Sequence, residues 1–276
     1  ASTRERILLF TKYGRVYQVN TYEIPPGSRH SKGKTLVNIP GLNIASADVE
    51  EFVAALPIPE TVDTALEHEH EYYIILATSR GVVKRISLAN LRSIRTTGIV
   101  AARVDEDKGD SLVDVVLIGS EAEARIGILL GSREGKAILF HGAELREMGR
   151  YASGVRGMRL EEGDEIADME AVDLSSSAAT VAIITERGYG KRTRLDAFRE
   201  THRGGKGVIS IRVGEKTGGV VCIKQVRDAD ELMISTSDGM VTKILARNIP
   251  VQGRNSRGVR LMSVNPGARV VAVDVV

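Results

Sequence analysis

Short apolar runs recur along the chain, and each is stopped by the same kind of landmark. Residues 7–10, 72–77, 126–130, 181–184 and 232–234 are almost wholly apolar. They run into Thr11-Lys12-Tyr13-Gly14, Thr78-Ser79-Arg80-Gly81, Ser132-Arg133-Glu134-Gly135, Thr185-Glu186-Arg187-Gly188 and Thr236-Ser237-Asp238-Gly239. A strand closed by a polar turn with glycine in its last place is a hairpin signal. The second strand of each hairpin is more polar and falls on 15–19, 82–86, 136–140, 189–195 and 240–245. After a linker of about a dozen residues comes a stretch that alternates with period two, predicting a third strand at 35–39, 99–104, 155–160, 208–213 and 259–264. A polar turn then leads to a fourth strand at 52–58, 112–118, 166–172, 220–226 and 270–275.

A second landmark lies in the linkers. Arg29-His30-Ser31-Lys32-Gly33, Arg150-Tyr151-Ala152-Ser153-Gly154, Arg203-Gly204-Gly205-Lys206-Gly207 and Arg254-Asn255-Ser256-Arg257-Gly258 each read Arg, three residues, Gly. Arg95-Thr96-Thr97-Gly98 is a shortened version. From hairpin glycine to linker glycine the distance is 19, 17, 19, 19 and 19 residues. Such regularity marks an internal repeat. Four short strands per unit of 50-odd residues predict an all-β, propeller-like ring with five recognisable four-stranded blades, one sheet per repeat. The expected repeats span 5–58, 72–118, 125–172, 180–226 and 231–276, within a single domain over 1–276. Minor helix is expected at 88–92 and 194–200.

Composition narrows the function classes. The chain has 276 residues, 42% of them hydrophobic, enough for a sizeable core. No apolar run approaches a membrane span, and residues 7–10 are too short for a signal-peptide core. Cys222, the one cysteine, sits in the apolar run Val220-Val221-Cys222-Ile223 and reads as a small buried hydrophobe. With no second cysteine there is no internal disulfide, which fits a reducing cytoplasm. Trp is absent and aromatics make up 4%, which argues against a single-strand binder built on stacking platforms. Glu67-His68-Glu69-His70-Glu71 alternates possible metal ligands, but reads as a solvated acidic run.

Net charge is only +2, and its distribution says more. Segments 20–34, 84–103, 141–159, 191–212 and 243–260 hold 24 of the 38 Lys/Arg and 5 of the 36 Asp/Glu. Equivalent segments of a ring of repeats share one circumference, so these predict a basic belt, the footprint of a sequence-independent phosphate-backbone binder. The densest segment is 191–212, with seven cations and two acids, and within it lies the glycine-rich stretch 201–207. Its glycines allow close backbone approach, consecutive N–H groups can form a concave anion site, and Arg203 and Lys206 flank it. The residues expected to contact DNA are Arg203, Gly204, Gly205, Lys206, Gly207, Lys191, Arg192, Arg194, Arg254, Arg257, Arg260, Lys243, Arg150, Arg156, Lys84, Arg85, Arg92, Arg95, Arg29, Lys32 and Lys34. The competing reading of the same residues is a glycine-rich corner with solvated cations, on a propeller that binds a protein partner.

The chain resembles the C-terminal domain of the DNA gyrase A protein, the β-pinwheel, over essentially all five repeats. The resemblance rests on the Thr/Ser-x-x-Gly hairpins, Tyr189-Gly190-Lys191-Arg192-Thr193, Gly207-Val208-Ile209-Ser210-Ile211 and Gly253-Arg254-Asn255-Ser256-Arg257-Gly258-Val259. The family's signature box reads Gln-Arg-Arg-Gly-Gly-Lys-Gly; here Thr201 and His202 fill its first two places and Arg203 to Gly207 match. In gyrase that box lies in the first of six repeats, whereas residues 6–25 resemble the second, so a first blade is expected to be missing, either because the parent protein has six blades and this chain is part of it or because the parent has five, as some topoisomerase IV A proteins do. The resemblance implies duplex DNA bent around the blades' outer edge, which presents a crossing for negative supercoiling. The alternative is the topoisomerase IV equivalent, which selects crossings. It also implies no catalysis and no cofactor here, with ATP and Mg used elsewhere in the enzyme. Implied partners are double-stranded DNA, the rest of the gyrase A protein and the gyrase B protein. The isolated domain would be a monomer, in a bacterial cytoplasm at the nucleoid.

Overall fold

The computed structural model describes residues 2–26, 39, 42–44, 52–65, 72–176 and 178–276. They form two compact units, one of Ala1–Thr78, Val83–Ala122 and Leu145–Val155, the other of Ser79–Val82, Glu123–Glu144 and Arg156–Val276. The fold is all-β, with five antiparallel blades of the propeller type.

The strands follow the apolar runs closely. In chain order they are β1 (Arg6–Thr11), β2 (Arg15–Asn20), β3 (Phe52–Ile58), β4 (Tyr72–Thr78), β5 (Val82–Ser87), β6 (Ile99–Val100), β7 (Leu112–Gly119), β8 (Ile126–Ser132), β9 (Lys136–His141), β10 (Val155–Arg156), β11 (Ile166–Asp173), β12 (Thr180–Thr185), β13 (Tyr189–Arg194), β14 (Val208–Ile209), β15 (Val220–Val226), β16 (Glu231–Thr236), β17 (Val241–Leu245), β18 (Val259–Arg260) and β19 (Val270–Val275). Short 3-10 turns at Leu88–Leu91 and Leu195–Ala197 fall where minor helix is expected. Among the described residues a single α-helix, Glu60–Ala65, opens the insertion of the first repeat.

The expected allotment of one sheet per repeat is corrected. The sheets run β3-β1-β2-β6, β10-β5-β4-β7, β11-β8-β9-β14 and β15-β12-β13-β18, with β17-β16-β19 as the fifth. The edge strand of each of the first four blades therefore comes from the next repeat. These edge strands are two residues long, not six, so the alternation at 99–104, 155–160, 208–213 and 259–264 overstates them. The expected third strand at 35–39 lies almost entirely outside the described residues.

Backbone chemistry explains the exchange. In the second unit, Leu261 and Met262 N–H both point at the Gly188 carbonyl, at 2.8 and 3.3 Å. The turn bonds the next repeat's chain directly, so two residues of pairing suffice. Gly188 sits at φ 72, and a Cβ there would lie 2.6 Å from the Met262 carbonyl oxygen, so glycine is required for both conformation and approach. In the first unit Gly14 receives Ala101 and Ala102 in the same way.

Apolar faces of these strands form the cores. In the first unit Leu8, Phe10, Val16, Ile58, Ile74, Leu76, Ile86 and Leu112 pack together with almost no exposure. In the second, one cluster gathers Leu129, Val181, Ile183 and Phe198, and another Ile184, Cys222, Leu232 and Ile234. Cys222 is buried as expected, and burial pushes its thiol well above the usual range.

Candidate nucleic-acid interface

Three of the linkers acquire their shape from a set of hydrogen bonds that recurs at the same offsets from the linker glycine. Six residues before that glycine, an N–H donates to the second strand of the preceding repeat: Met148 to Arg85, Thr201 to Leu139 and Gln252 to Arg192, at 2.8–2.9 Å. Four residues before it stands the repeated arginine. Arg150 donates to the Val100 carbonyl (3.3 Å), Arg203 to that of Arg156 (3.2 Å) and Arg254 to that of Ile209 (2.9 Å). The three acceptors are equivalent, each two residues past the linker glycine of the preceding repeat. The constant spacing thus records a clip between consecutive repeats, with the arginine half-buried rather than free in solvent.

Four expected DNA contacts lie inside the protein. Lys84, Arg85, Lys191 and Arg192 are 3%, 5%, 0% and 6% exposed. They sit on β5 and β13 at positions facing the incoming linker. Lys84 donates to the carbonyls of Ala101 (3.3 Å) and Arg150, and Lys191 to those of Gly253 and Arg254, both at 2.7 Å. Arg85 reaches the Leu145 carbonyl and Arg192 that of Ile249. Burial brings the Lys84 and Lys191 ammonium groups down to about 8, with Arg150 and Arg254 respectively adding like-charge repulsion. These four are corrected from surface cations to buried donors. A Lys-Arg pair on a polar strand resembles a solvated face, and distant carbonyls, with Asp228 on Arg192 and the Tyr73 ring under Arg85, make it an internal one.

The anion cradle expected at 203–207 is also altered. Arg203 N–H donates to Glu144 Oε2 at 3.2 Å, and His202 Nδ1 lies 3.4 Å from Glu144 Oε1. Gly204 N–H is taken by the Gly157 carbonyl at 2.6 Å. A carboxylate of the chain itself, with a carbonyl, holds two of the N–H groups expected to cradle a phosphate, those of Arg203 and Gly204. Gly207 is a structural turn residue at φ 70, and a Cβ on it would lie 2.5 Å from the Ala137 carbonyl. Gly205 packs over Ile138, whose Cδ1 would be 3.3 Å from a Cβ there.

The remaining cations are on the surface. Arg194 pairs with Asp196 at 2.5 Å and Lys243 with Glu231, which damps their fields. Arg260 donates to the Tyr189 hydroxyl at 3.2 Å. Arg92, Arg95, Arg156, Lys206 and Arg257 are exposed. The backbone stretches that carry Arg156 and Lys206 run alongside each other in the second unit, where Arg159 N–H binds the Gly205 carbonyl at 2.8 Å and Gly204 N–H that of Gly157. Arg29, Lys32 and Lys34 fall outside the described residues.

One row was missed in the sequence. Arg103, Arg159 and Arg212 each lie five residues past a linker glycine, and all are exposed. In the second unit, Arg159 N–H donates to Gly205 and Arg212 N–H to Ser256, again at equivalent positions. The signal is the constant offset of five, which the period-two alternation of the same stretch obscures.

Among the described residues no group of His, Cys, Asp and Glu is placed to hold a metal, and no described helix is long and apolar enough to cross a membrane. What the site offers is exposed guanidinium and ammonium groups presented at repeated positions within each all-β unit. That defines a repeat-built, propeller-type domain with cation-bearing linkers.

The family described as "DNA gyrase C-terminal domain, beta-propeller" matches residues 5–41, 72–118, 128–173, 179–224 and 230–276, and the chain belongs to it. The DNA gyrase A protein of Haloquadratum walsbyi is 36% identical over 274 residues, covering 99% of this chain and 30% of that protein. Its counterpart in Staphylococcus epidermidis, also a DNA gyrase A protein, is 36% identical over 272 residues, 99% of this chain and 29% of that one. The chain therefore spans about a third of the length of these relatives. Among solved structures, the C-terminal domain of DNA topoisomerase IV superposes with a TM-score of 0.80 at 25% identity, covering 99% of this chain and 80% of that one. A DNA gyrase A C-terminal domain gives 0.79 at 22% identity, covering 99% and 83%, and speaks for the fold.

Proposed function

We propose that this chain binds and bends duplex DNA as the non-catalytic C-terminal part of a gyrase A protein. The observation that carries this is the recurrence of exposed cations at fixed offsets from the linker glycines, Arg156, Lys206 and Arg257 among them, on a fold whose relatives are gyrase A proteins. Phosphate neutralisation by such cations is indifferent to base sequence. Bending a duplex tightly costs several kcal/mol, which many phosphate contacts along an arc can offset. Antiparallel blades suit the task, since within the second unit they fix the positions of Arg156, Lys206 and Arg257 on one sheet framework.

In the intact enzyme the DNA held here would present a crossing of defined hand to the strand-passage machinery. The remainder of the gyrase A protein and the gyrase B protein are the proposed protein partners, ATP and Mg act elsewhere in the assembly, and the setting is the bacterial nucleoid. The topoisomerase IV role is the second reading, favoured by the 25% identical solved structure. The test is ligation of nicked circular plasmid in the presence of the protein. Wrapping predicts a shift of the topoisomer distribution that grows with the protein-to-DNA ratio, and an unshifted distribution contradicts it. Crossing selection without wrapping predicts binding with no shift.

A further inference from the structure

We infer that Lys84 and Lys191 are positioning residues that hold the DNA-facing loops of the following repeats from beneath, and that only alternate junctions are latched in this way. The proposal rests on the DNA-binding function above. Each ammonium is buried and shared between backbone carbonyls, and one acceptor in each case belongs to the clip arginine itself, Arg150 or Arg254. Holding this carbonyl fixes the backbone from which the following residues project. The loop above Lys191 therefore presents Arg257 to solvent, and the loop above Lys84 presents Tyr151.

The same place in the third blade is filled by Ile138, three residues after Gly135 as Lys84 follows Gly81 and Lys191 follows Gly188. Ile138 lies under Gly205 but has no donor to offer. The loop carrying Arg203 and Lys206 is tied down by Glu144 instead. These three linkers thus fall into two kinds. Those at 145–154 and 249–258 are locked by a buried cation, and that at 195–207 by an acid on its flank.

Ile138 also shows that the fold accepts isoleucine at this position, which makes Lys84→Ile and Lys191→Ile suitable probes. Amide hydrogen exchange without DNA reads the latch directly. In Lys191→Ile the amides of Gln252 and Ser256, bonded to Arg192 and Gly253, should exchange faster, while Thr201 and Gly204 keep wild-type rates. In Lys84→Ile the amides of Met148 and Ala152 should respond in the same way. On a long duplex, Lys191→Ile should bind roughly threefold to tenfold more weakly, the weight of one or two lost hydrogen bonds. Adding Arg257→Ala to Lys191→Ile should cost less than Arg257→Ala alone, because the arginine has already lost its fixed position.

Unchanged exchange at Ser256 overturns the latch. Faster exchange with unaltered affinity and additive effects overturns the positioning role. Failure of the wild type to bind duplex overturns the functional proposal, while exchange still decides the latch. Ile138→Lys is the converse variant. It should slow exchange in the 201–206 loop, and faster exchange there contradicts the proposed geometry.

Discussion

Glu144 Oε2 accepts the backbone N–H of Arg203 at 3.2 Å, so a carboxylate occupies the loop that most resembles a phosphate cradle. The side chain orders the loop and at the same time places a negative charge where DNA would lie. Glu144→Gln keeps an acceptor for the N–H but removes the charge. Binding to duplex should tighten about twofold to fourfold at low salt, in line with the weak, screened energies of surface charges, and the gain should vanish at high salt. Gel-shift titration at two salt concentrations checks this, and weaker binding by the variant contradicts it.

Two glycines with similar backbone angles should differ sharply in their tolerance of a side chain. Gly258 lies at φ 77, and a Cβ there would be 2.4 Å from the Gly190 carbonyl oxygen. Gly204 lies at φ 81, with nothing nearer than the Arg156 carbonyl at 3.6 Å. Gly258→Ala should cost about 2–4 kcal/mol, and Gly204→Ala about 1 kcal/mol from conformation alone. Chemical denaturation of both variants is the measurement, and equal losses contradict the packing around Gly258.

The two buried lysines make a signed prediction about pH. Each titrates near 8 when folded and at 10.5 when unfolded. Below about 8 both states are protonated, and the cost of burying the charge is constant. Between about 8 and 10.5 the unfolded chain holds the proton and the folded chain does not, so stability rises with pH by up to about 1.4 kcal/mol per unit for each lysine. The stability of the wild type relative to the Lys84→Ile, Lys191→Ile double variant should therefore increase across that window. A flat or falling difference in denaturation free energy contradicts it.

Length of DNA should matter. A duplex of about ten base pairs spans a single group of cations, whereas a long one meets several, so affinity per protein should climb with length until the contacts are filled. Equal affinity for short and long duplex contradicts bending along successive repeats.

Much of the fold was legible because strand chemistry is local. The apolar runs ending at Gly14, Gly81, Gly135, Gly188 and Gly239 located every hairpin, and the first, second and fourth strands fall within a residue or two of their expected bounds. The third strands were misjudged, since Val208-Ile209-Ser210-Ile211 alternates like a strand although only its first two residues pair, on the sheet of the preceding repeat. What fixes that pairing is the carbonyl of a distant turn glycine, which no local pattern displays. The site was legible in its repeat and not in its depth. Arg150, Arg203 and Arg254 were found by spacing, yet their partners Val100, Arg156 and Ile209 lie about 50 residues away. Lys191 reads as surface from its neighbours, and is buried because Gly253 and Arg254 supply carbonyls over it.

The most direct test of the proposed function is the salt dependence of binding to a long duplex. Log affinity should fall linearly with log salt, with a slope of about 0.9 per phosphate neutralised, and Arg156→Ala, Lys206→Ala or Arg257→Ala should each reduce that slope by up to about 0.9. Glu161→Ala with Glu162→Ala, on the acidic turn, should leave affinity unchanged or slightly higher. An affinity that stays constant across a several-fold range of salt, or a slope untouched by all three cation variants, would contradict the assignment of these residues to the DNA phosphates.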